Sequence, residues 1–521
     1  MKKKKDGNFL NRLATKSHHP TTNTTPMLFN SYTFIVFFIV ILILHNLPFS
    51  WKVKKINLLI ASYIFYAAWN PPFILLLWLA TIVDFFVGRA LYREENIAKK
   101  RMLLVISLIG NLGMLIFFKY GGFLLENFTT LVNAAGIYYR PAKPNIILPA
   151  GISFYTFTTL CYTIDMYKKR SKPVKTMLDF SLFVAFFPHL VAGPIVRPPQ
   201  LVPQFETPRT ASQKQLLEGF MLLSLGLFMK VVLADGMLSA SADTVFGSTG
   251  KILSLDAWAG VLAFSGQIFF DFAGYSTCAV GAALCLGFVL PQNFLYPYSA
   301  IGFSDFWKRW HITLSTWLRD YLYIPLGGNR KGNIRTYVNL MLTMLLGGLW
   351  HGASWTFVVW GGLHGFYLMI ERFFKDRAIS NTGMSPVIGA PEPVLVKASL
   401  APAIMANKTV KNFFLALLTF FLINVTWVFF RSATFTQSWE MLKSMFGQTN
   451  DGVALLSTLA IIKIGVIITL MVVVHWLMRD TRLLIVASKL PWWLTAIIWS
   501  VIVLLIIISQ ESSSSFIYFQ F

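Results

Sequence analysis

The chain has 521 residues, of which 55% are hydrophobic, 16% are aromatic and only 13% are charged. That charge content is about half of what a soluble globular chain carries, so a soluble domain is excluded and an all-α polytopic membrane protein is expected. The net charge of +23 does not indicate nucleic-acid binding, because Lys and Arg sit in short clusters between apolar runs, where they act as cytoplasmic anchors.

Residues 1–26 are polar and basic, with no apolar core, and read as a cytoplasmic tail rather than a cleaved signal. Met27, at the start of "MLFNSYTFIVFF", offers a second translation start. Candidate spans follow near 31–48, 56–69, 72–90, 102–119, 146–166, 178–195, 215–235, 256–288, 337–370, 412–430, 456–478 and 491–510. The runs at 256–288 and 337–370 exceed one simple span, so each is expected to be a tilted helix or a helix plus a re-entrant piece. "FFPHLVAGPIVRPP" carries Pro188, Pro194, Pro198 and Pro199 and cannot be one continuous helix. Broken backbone at membrane depth needs a protein or cavity environment, which places this segment near a central cavity. Residues 376–411 hold Pro386, Pro391 and Pro393 and are expected as an exposed loop. The domain reading is therefore a tail (1–26), a core (27–375), a loop (376–411) and C-terminal spans (412–521).

Cys161, Cys278 and Cys285 lie in apolar surroundings with no disulfide or metal spacing. HExxH, Walker A and GxSxG motifs are absent, so ATP hydrolysis and hydrolase chemistry have no support, and no metal site is expected. Ionisable residues inside apolar runs are the functional candidates. His351, in "LTMLLGGLWHGASW", is flanked by Gly347, Gly348 and Gly352, and a continuous helix would put Ser354 and Trp355 on its face. An imidazole titrates nearest neutrality and can take and return a proton. His311 lies in "DFWKRWHITLSTWLRD", between Lys308, Arg309, Arg319 and Asp320. Trp307, Trp310 and Trp317 there suit an interfacial belt, and a surface amphipathic helix is the plainer alternative. His311 and His351 must sit on different elements, which can converge. Asp271, between phenylalanines, needs a partner such as a histidine or Arg319. His189 is expected to line the cavity, and His475 to be packing. His364, 13 residues after His351, would face nearly the opposite side of one helix.

"DFWKRWHITLSTWLRDYLYIPLGGNRKG" and "LTMLLGGLWHGASWTFVVWGGLHG" resemble the membrane-bound O-acyltransferase (MBOAT) family. "LPAGISFYTF", "FVAFFPHLVAGPIVR", "FFDFAGYS" and the terminal "FIYFQF" resemble its bacterial branch, which serves alginate O-acetylation. The resemblance covers residues 27–521. It departs at Ala273 and Thr277, where that branch has a serine and a second acid. The resemblance implies a multi-helix bundle around a central pore, with re-entrant and interfacial helices, in the bacterial inner membrane. It implies His351 as the catalytic residue and His311 as a second one. It also implies an acyl donor that is a substrate rather than a bound cofactor: a cytoplasmic thioester, acetyl-CoA or an acyl-carrier thioester. The expected partners are membrane lipids, an extracytoplasmic acetyl acceptor of the AlgJ/AlgX kind and the polysaccharide secretion machinery. Trp350 and Ser354 are candidate oxyanion donors, and Lys308, Arg309 and Arg330 candidate donor-phosphate contacts at a cytoplasmic mouth. D-alanyl transfer to teichoic acid and bond-free transport are the alternatives.

Overall fold

The computed structural model describes residues 27–142, 144–381, 402–448, 452–509 and 517. The expected basic tail, most of the expected loop and all of "FIYFQF" except Ile517 lie outside the described residues. Among the described residues the secondary structure is helical, with one isolated β-bridge between Ile252 and Val453. In chain order, α1 (Tyr32–Asn46) and α2 (Trp51–Ala67) precede α3 (Ile74–Arg93) and α4 (Ile97–Leu115). A π turn at Ile116–Tyr120 continues α4 into α5 (Gly121–Ala134), and α6 (Ile152–Tyr167) follows.

The proline-rich segment breaks as its sequence requires. It forms α7 (Met177–Ala185), a single turn α8 (Phe187–Leu190) and α9 (Pro198–Glu206), with Pro198 and Pro199 opening α9 where a missing N–H is harmless. Then come α10 (Gln213–Leu227), a long π stretch at Phe228–Ser239, α11 (Ala240–Phe246) and α12 (Ser254–Cys285). The α12 run is one unbroken helix of 32 residues, without a re-entrant piece. The short α13 (Phe303–Arg309) and α14 (Ile312–Leu318) lead to α15 (Gly332–His351) and α16 (Trp355–Asn381). The apolar run at 337–370 is thus a helical hairpin broken at Gly352. The chain ends with α17 (Pro402–Arg431), α18 (Phe435–Met445), α19 (Thr458–Leu477), α20 (Leu483–Ala487) and α21 (Trp492–Ile508). Helix occupies 376–381 and 402–411 of the expected loop, and residues 382–401 lie outside the described residues.

Six helical stretches among the described residues are long and apolar enough to cross a membrane: Pro71–Arg93, Ile97–Ala134, Gln213–Phe246, Ser254–Cys285, Val410–Arg431 and Thr458–Leu477. Two shorter apolar helices, Tyr32–Asn46 and Trp492–Ile508, flank them. Leu459, Leu470, Ile507 and Ile508 are exposed on these helices, as side chains facing lipid are. The protein is a multi-pass, all-α membrane protein.

Inside, two hydrophobic clusters form. One gathers α1, α2, α6, α7 and the aromatic rings Phe157, Trp317 and Trp350. The other gathers the first half of α12 with Trp310, Trp360, Trp427 and Phe430. Glycines let neighbouring helices meet backbone to backbone. On α10 and α12, Gly219 lies against Gly281 and Gly226 against Gly274, and a Cβ at Gly226 would stand 2.5 Å from the Gly274 carbonyl oxygen.

Candidate active site

His311 is placed by a sharp junction rather than by a helix face. Trp310 is extended and His311 adopts the left-handed conformation, with φ 42° and ψ 54°, so α13 ends and α14 begins around it. Only 3 non-glycine residues have positive φ among those described, and His311 is one of them. Such backbone is uncommon away from glycine and costs of order 1–3 kcal/mol, held by its surroundings. The surroundings here are specific. The Ile312 amide donates to the Asn293 carbonyl at 2.9 Å, and the Thr313 hydroxyl donates to Asn293 Oδ1 at 2.6 Å. The Ile195 amide, from the broken proline-rich segment, donates to Thr313 Oγ1 at 3.0 Å. The broken segment therefore serves as a clamp on the histidine junction.

His351 is the last residue of α15, and Gly352 to Ser354 turn the chain into α16. The turn is tight because Gly352 has no side chain: a Cβ there would meet the Phe357 ring at 2.1 Å. The two histidines converge, with ring centroids 6.5 Å apart. Trp350 lies beside both, 5.9 Å from His311 and 5.0 Å from His351. Phe154 and Phe272 complete the wall of His311, at 6.3 and 4.6 Å. Trp360 and Phe430 complete that of His351, at 5.0 and 5.3 Å. The pair thus sits where the two hydrophobic clusters meet. His311 is fully buried and His351 is 3% exposed. Neither ring nitrogen of His311 has a hydrogen-bond partner among the described residues, and neither does the buried indole N–H of Trp350. A polar reactant placed between the rings would satisfy these atoms.

The other sequence candidates separate from this pair. Ser354 does not share a helix face with His351, because the helix ends first; its hydroxyl lies 3.1 Å from that of Thr356 and caps the start of α16. Trp355 is more than half exposed and donates to Asn127 Oδ1 at 2.8 Å. Asp271 pairs with Lys230, not Arg319, and accepts from the Ile517 amide at 2.8 Å. Lys230 also binds Asp235 at 2.9 Å. Arg319 and Arg197 both hold Asp320, each at 2.7 Å. Burial alone would raise the Asp320 carboxyl, but its hydrogen bonds to Arg319 and Arg197 outweigh that and hold it below the usual carboxylate range.

Arg309 is tied to Asp305 at 2.9 Å and to the Arg479 carbonyl at 2.9 Å, a latch between elements. His189 is buried in the single turn α8, with Phe186 as its ring neighbour at 6.2 Å, and is not part of the histidine pair. His475 accepts from the Tyr298 amide at 3.2 Å and packs on Phe269, the structural role expected of it. Trp310 and Trp317 are core rings rather than an interfacial belt. Trp317 stacks on Phe157 at 3.8 Å and donates to its carbonyl, so the segment is no surface amphipathic helix. His364 is not turned away from the site either. The break at Gly352 folds α16 back along α15, and His364 lies 4.7 Å from Trp360, the ring that walls His351.

Several residues at the site were not foreseen. Trp360, Phe430 and Asn293 carry no local signal, since apolar rings and a loop asparagine look alike everywhere in this chain. Lys119 did carry one: it is a lone charge deep in an apolar run, and its Nζ donates to the carbonyls of Trp350 at 2.8 Å and His351 at 2.9 Å. Asn293 also lines a cavity of about 140 Å³ with Ala273, Thr277 and Arg482. Both positions at which the chain departs from the resembled motif face that cavity.

The same motifs decide the family once the whole chain is compared. A model of the membrane-bound O-acyltransferase family matches residues 35–386, which takes in both histidines. The chain belongs to the membrane-bound O-acyltransferase family. The probable alginate O-acetylase AlgI of Pseudomonas aeruginosa is 39% identical over 424 residues, which are 81% of this chain and 75% of that protein. The peptidoglycan O-acetyltransferase of Helicobacter pylori is 36% identical over 419 residues, 75% of this chain and 74% of that protein. The teichoic acid D-alanyltransferase of Streptococcus thermophilus is 31% identical over 261 residues, 46% of this chain and 61% of that protein. Like the members of its family, the chain is an O-acyltransferase, and the protein core around α15 and α16 lies within the family match.

Proposed function

We propose that this O-acyltransferase moves an acetyl group from a cytoplasmic thioester, acetyl-CoA or an acyl-carrier thioester, across the bacterial inner membrane for O-acetylation of an exported polysaccharide. The observation that carries the reading is the convergence of two buried imidazoles from separate elements, 6.5 Å apart, beside an indole N–H without a partner. His351 acts as the base: its neutral imidazole takes the proton of the acceptor hydroxyl as that oxygen attacks the thioester carbonyl. The tetrahedral oxyanion accepts a hydrogen bond from the Trp350 indole, in surroundings of low dielectric where such a bond counts most. When the carbon–sulfur bond breaks, the imidazolium returns its proton to the thiolate, leaving an ester and a free thiol. His311 supplies the second polar contact to the reactants.

The acceptor side follows the two relatives above that are named for O-acetylation, which align over 81% and 75% of this chain, whereas the D-alanyl relative aligns over 46%. An extracytoplasmic acceptor protein of the AlgJ/AlgX kind would take the group to the polymer. Replacement of His351 by alanine tests the reading. With insertion and abundance unchanged, base-labile acetate on the polymer falls to background. Normal acetylation by H351A removes the catalytic assignment.

A further inference from the structure

A helix leaves its last carbonyls without partners inside the helix. At the end of α15 three consecutive ones are met by two side chains of a remote segment. Lys119 Nζ donates to the carbonyls of Trp350 and His351, and the Tyr120 hydroxyl donates to that of Leu349 at 2.9 Å. Lys119 also lies 5.8 Å from the centroid of the Trp350 ring. Both residues come from the π turn Ile116–Tyr120, a widened turn of the kind that recurs at functional sites. A lysine inside a membrane-crossing stretch is costly unless it is paired, and its pairing here is with the negative end of a helix dipole. The two residues whose carbonyls it holds carry the indole and the imidazole of the site.

We propose that Lys119 is a positioning residue for acyl transfer. Through the carbonyls of Trp350 and His351 it fixes where α15 stops, and so fixes the angle at which His351 faces His311. Tyr120 shares the task. The inference rests on His351 being the reacting base. Gly352 gives the next peptide no side-chain restraint, so without Lys119 the last turn of α15 frays and His351 samples several directions. A misplacement of about 1 Å costs on the order of 10²-fold in rate when the reacting geometry is held this closely.

Full-length K119M, K119R and Y120F are inserted in host membranes, and inverted vesicles are supplied with acetyl-CoA as the donor probe. Polymer-bound acetate is followed as acetyl-CoA is varied. K119M is expected to lose on the order of 10²-fold in kcat, with KM for acetyl-CoA changed by no more than about twofold, the mark of a group that acts on the reacting geometry and not on binding. K119R, which keeps the cation and its donors, recovers part of that loss. Y120F, which deletes one oxygen, loses several-fold in kcat and carries the test should K119M fail to insert. Wild-type turnover by K119M, a loss that only matches its loss of inserted protein, no recovery in K119R, or an unchanged Y120F overturns the proposal. H351A in the same vesicles separates the two readings: an inactive H351A beside a fully active K119M removes Lys119 alone, and an active H351A removes the base on which it acts.

Discussion

A histidine in left-handed backbone has to be held there, and at His311 the holding is done by Asn293, Thr313 and Ile195. The conformation turns the imidazole out of line with both α13 and α14 and toward Trp350 and His351. Glycine takes this conformation without penalty, whereas a Cβ costs roughly 1–2 kcal/mol. Replacing His311 by glycine and by alanine therefore separates chemistry from strain. Both variants lose transfer, because both lose the ring. In denaturant or thermal unfolding in detergent, H311G is the more stable of the two by about 1 kcal/mol. Equal stabilities would mean that the backbone at 311 relaxes freely and does not aim the side chain. Trp350 belongs to the same scale: it touches both histidines, and its indole N–H has no hydrogen-bond partner among the described residues.

The hairpin of α15 and α16 is the element that brings His351 to the pair. Its two helices cross at Gly348 and Gly361. A Cβ at Gly348 would lie 2.3 Å from the Phe357 carbonyl oxygen, and one at Gly361 would lie 2.2 Å from that of Met344. These obstacles are backbone atoms, so the helices themselves must separate. G361A is expected to destabilise the protein by about 1–3 kcal/mol, the usual range for overpacking, and to lower transfer with it, since the hairpin carries Trp350, His351 and Trp360. Gly113, on α4, has nothing within 4 Å of where its Cβ would be, and G113A serves as the control that leaves both unchanged. Thermal midpoints and acetate release, measured together on the two variants, check this. Should G361A behave as G113A does, close backbone packing is not what sets the hairpin. The hairpin also explains one reading that failed. A single helical wheel over 337–370 turns His364 away from His351, but Gly352 stops the helix, and the reversed chain returns His364 to the wall of the site.

At the scale of the molecule, long apolar runs and prolines made most spans legible in the sequence, because hydropathy and backbone punctuation are local properties. The break in "FFPHLVAGPIVRPP" followed from proline chemistry alone, and two polar motifs in an apolar chain put His311 and His351 on different elements that were free to converge; that they do converge is the structure's finding. Partners across the fold were not legible. Asp271 found Lys230 instead of Arg319, because a pairing between distant elements depends on how helices cross and not on residue type. The tryptophans of 305–330 were misread for the same reason: an interfacial ring and a core ring have one composition and two environments. The histidine pair lies at the seam between the two hydrophobic clusters, so each cluster supplies half of its wall, and the account stands on the two rings acting as one site. The direct measurement is a cycle of H311A, H351A and the double variant, with initial transfer rates normalised to inserted protein. Residues that act as a unit are strongly non-additive, so the double variant is predicted to be no slower than the slower single variant. Losses that multiply would show two independent contributions and contradict the claim.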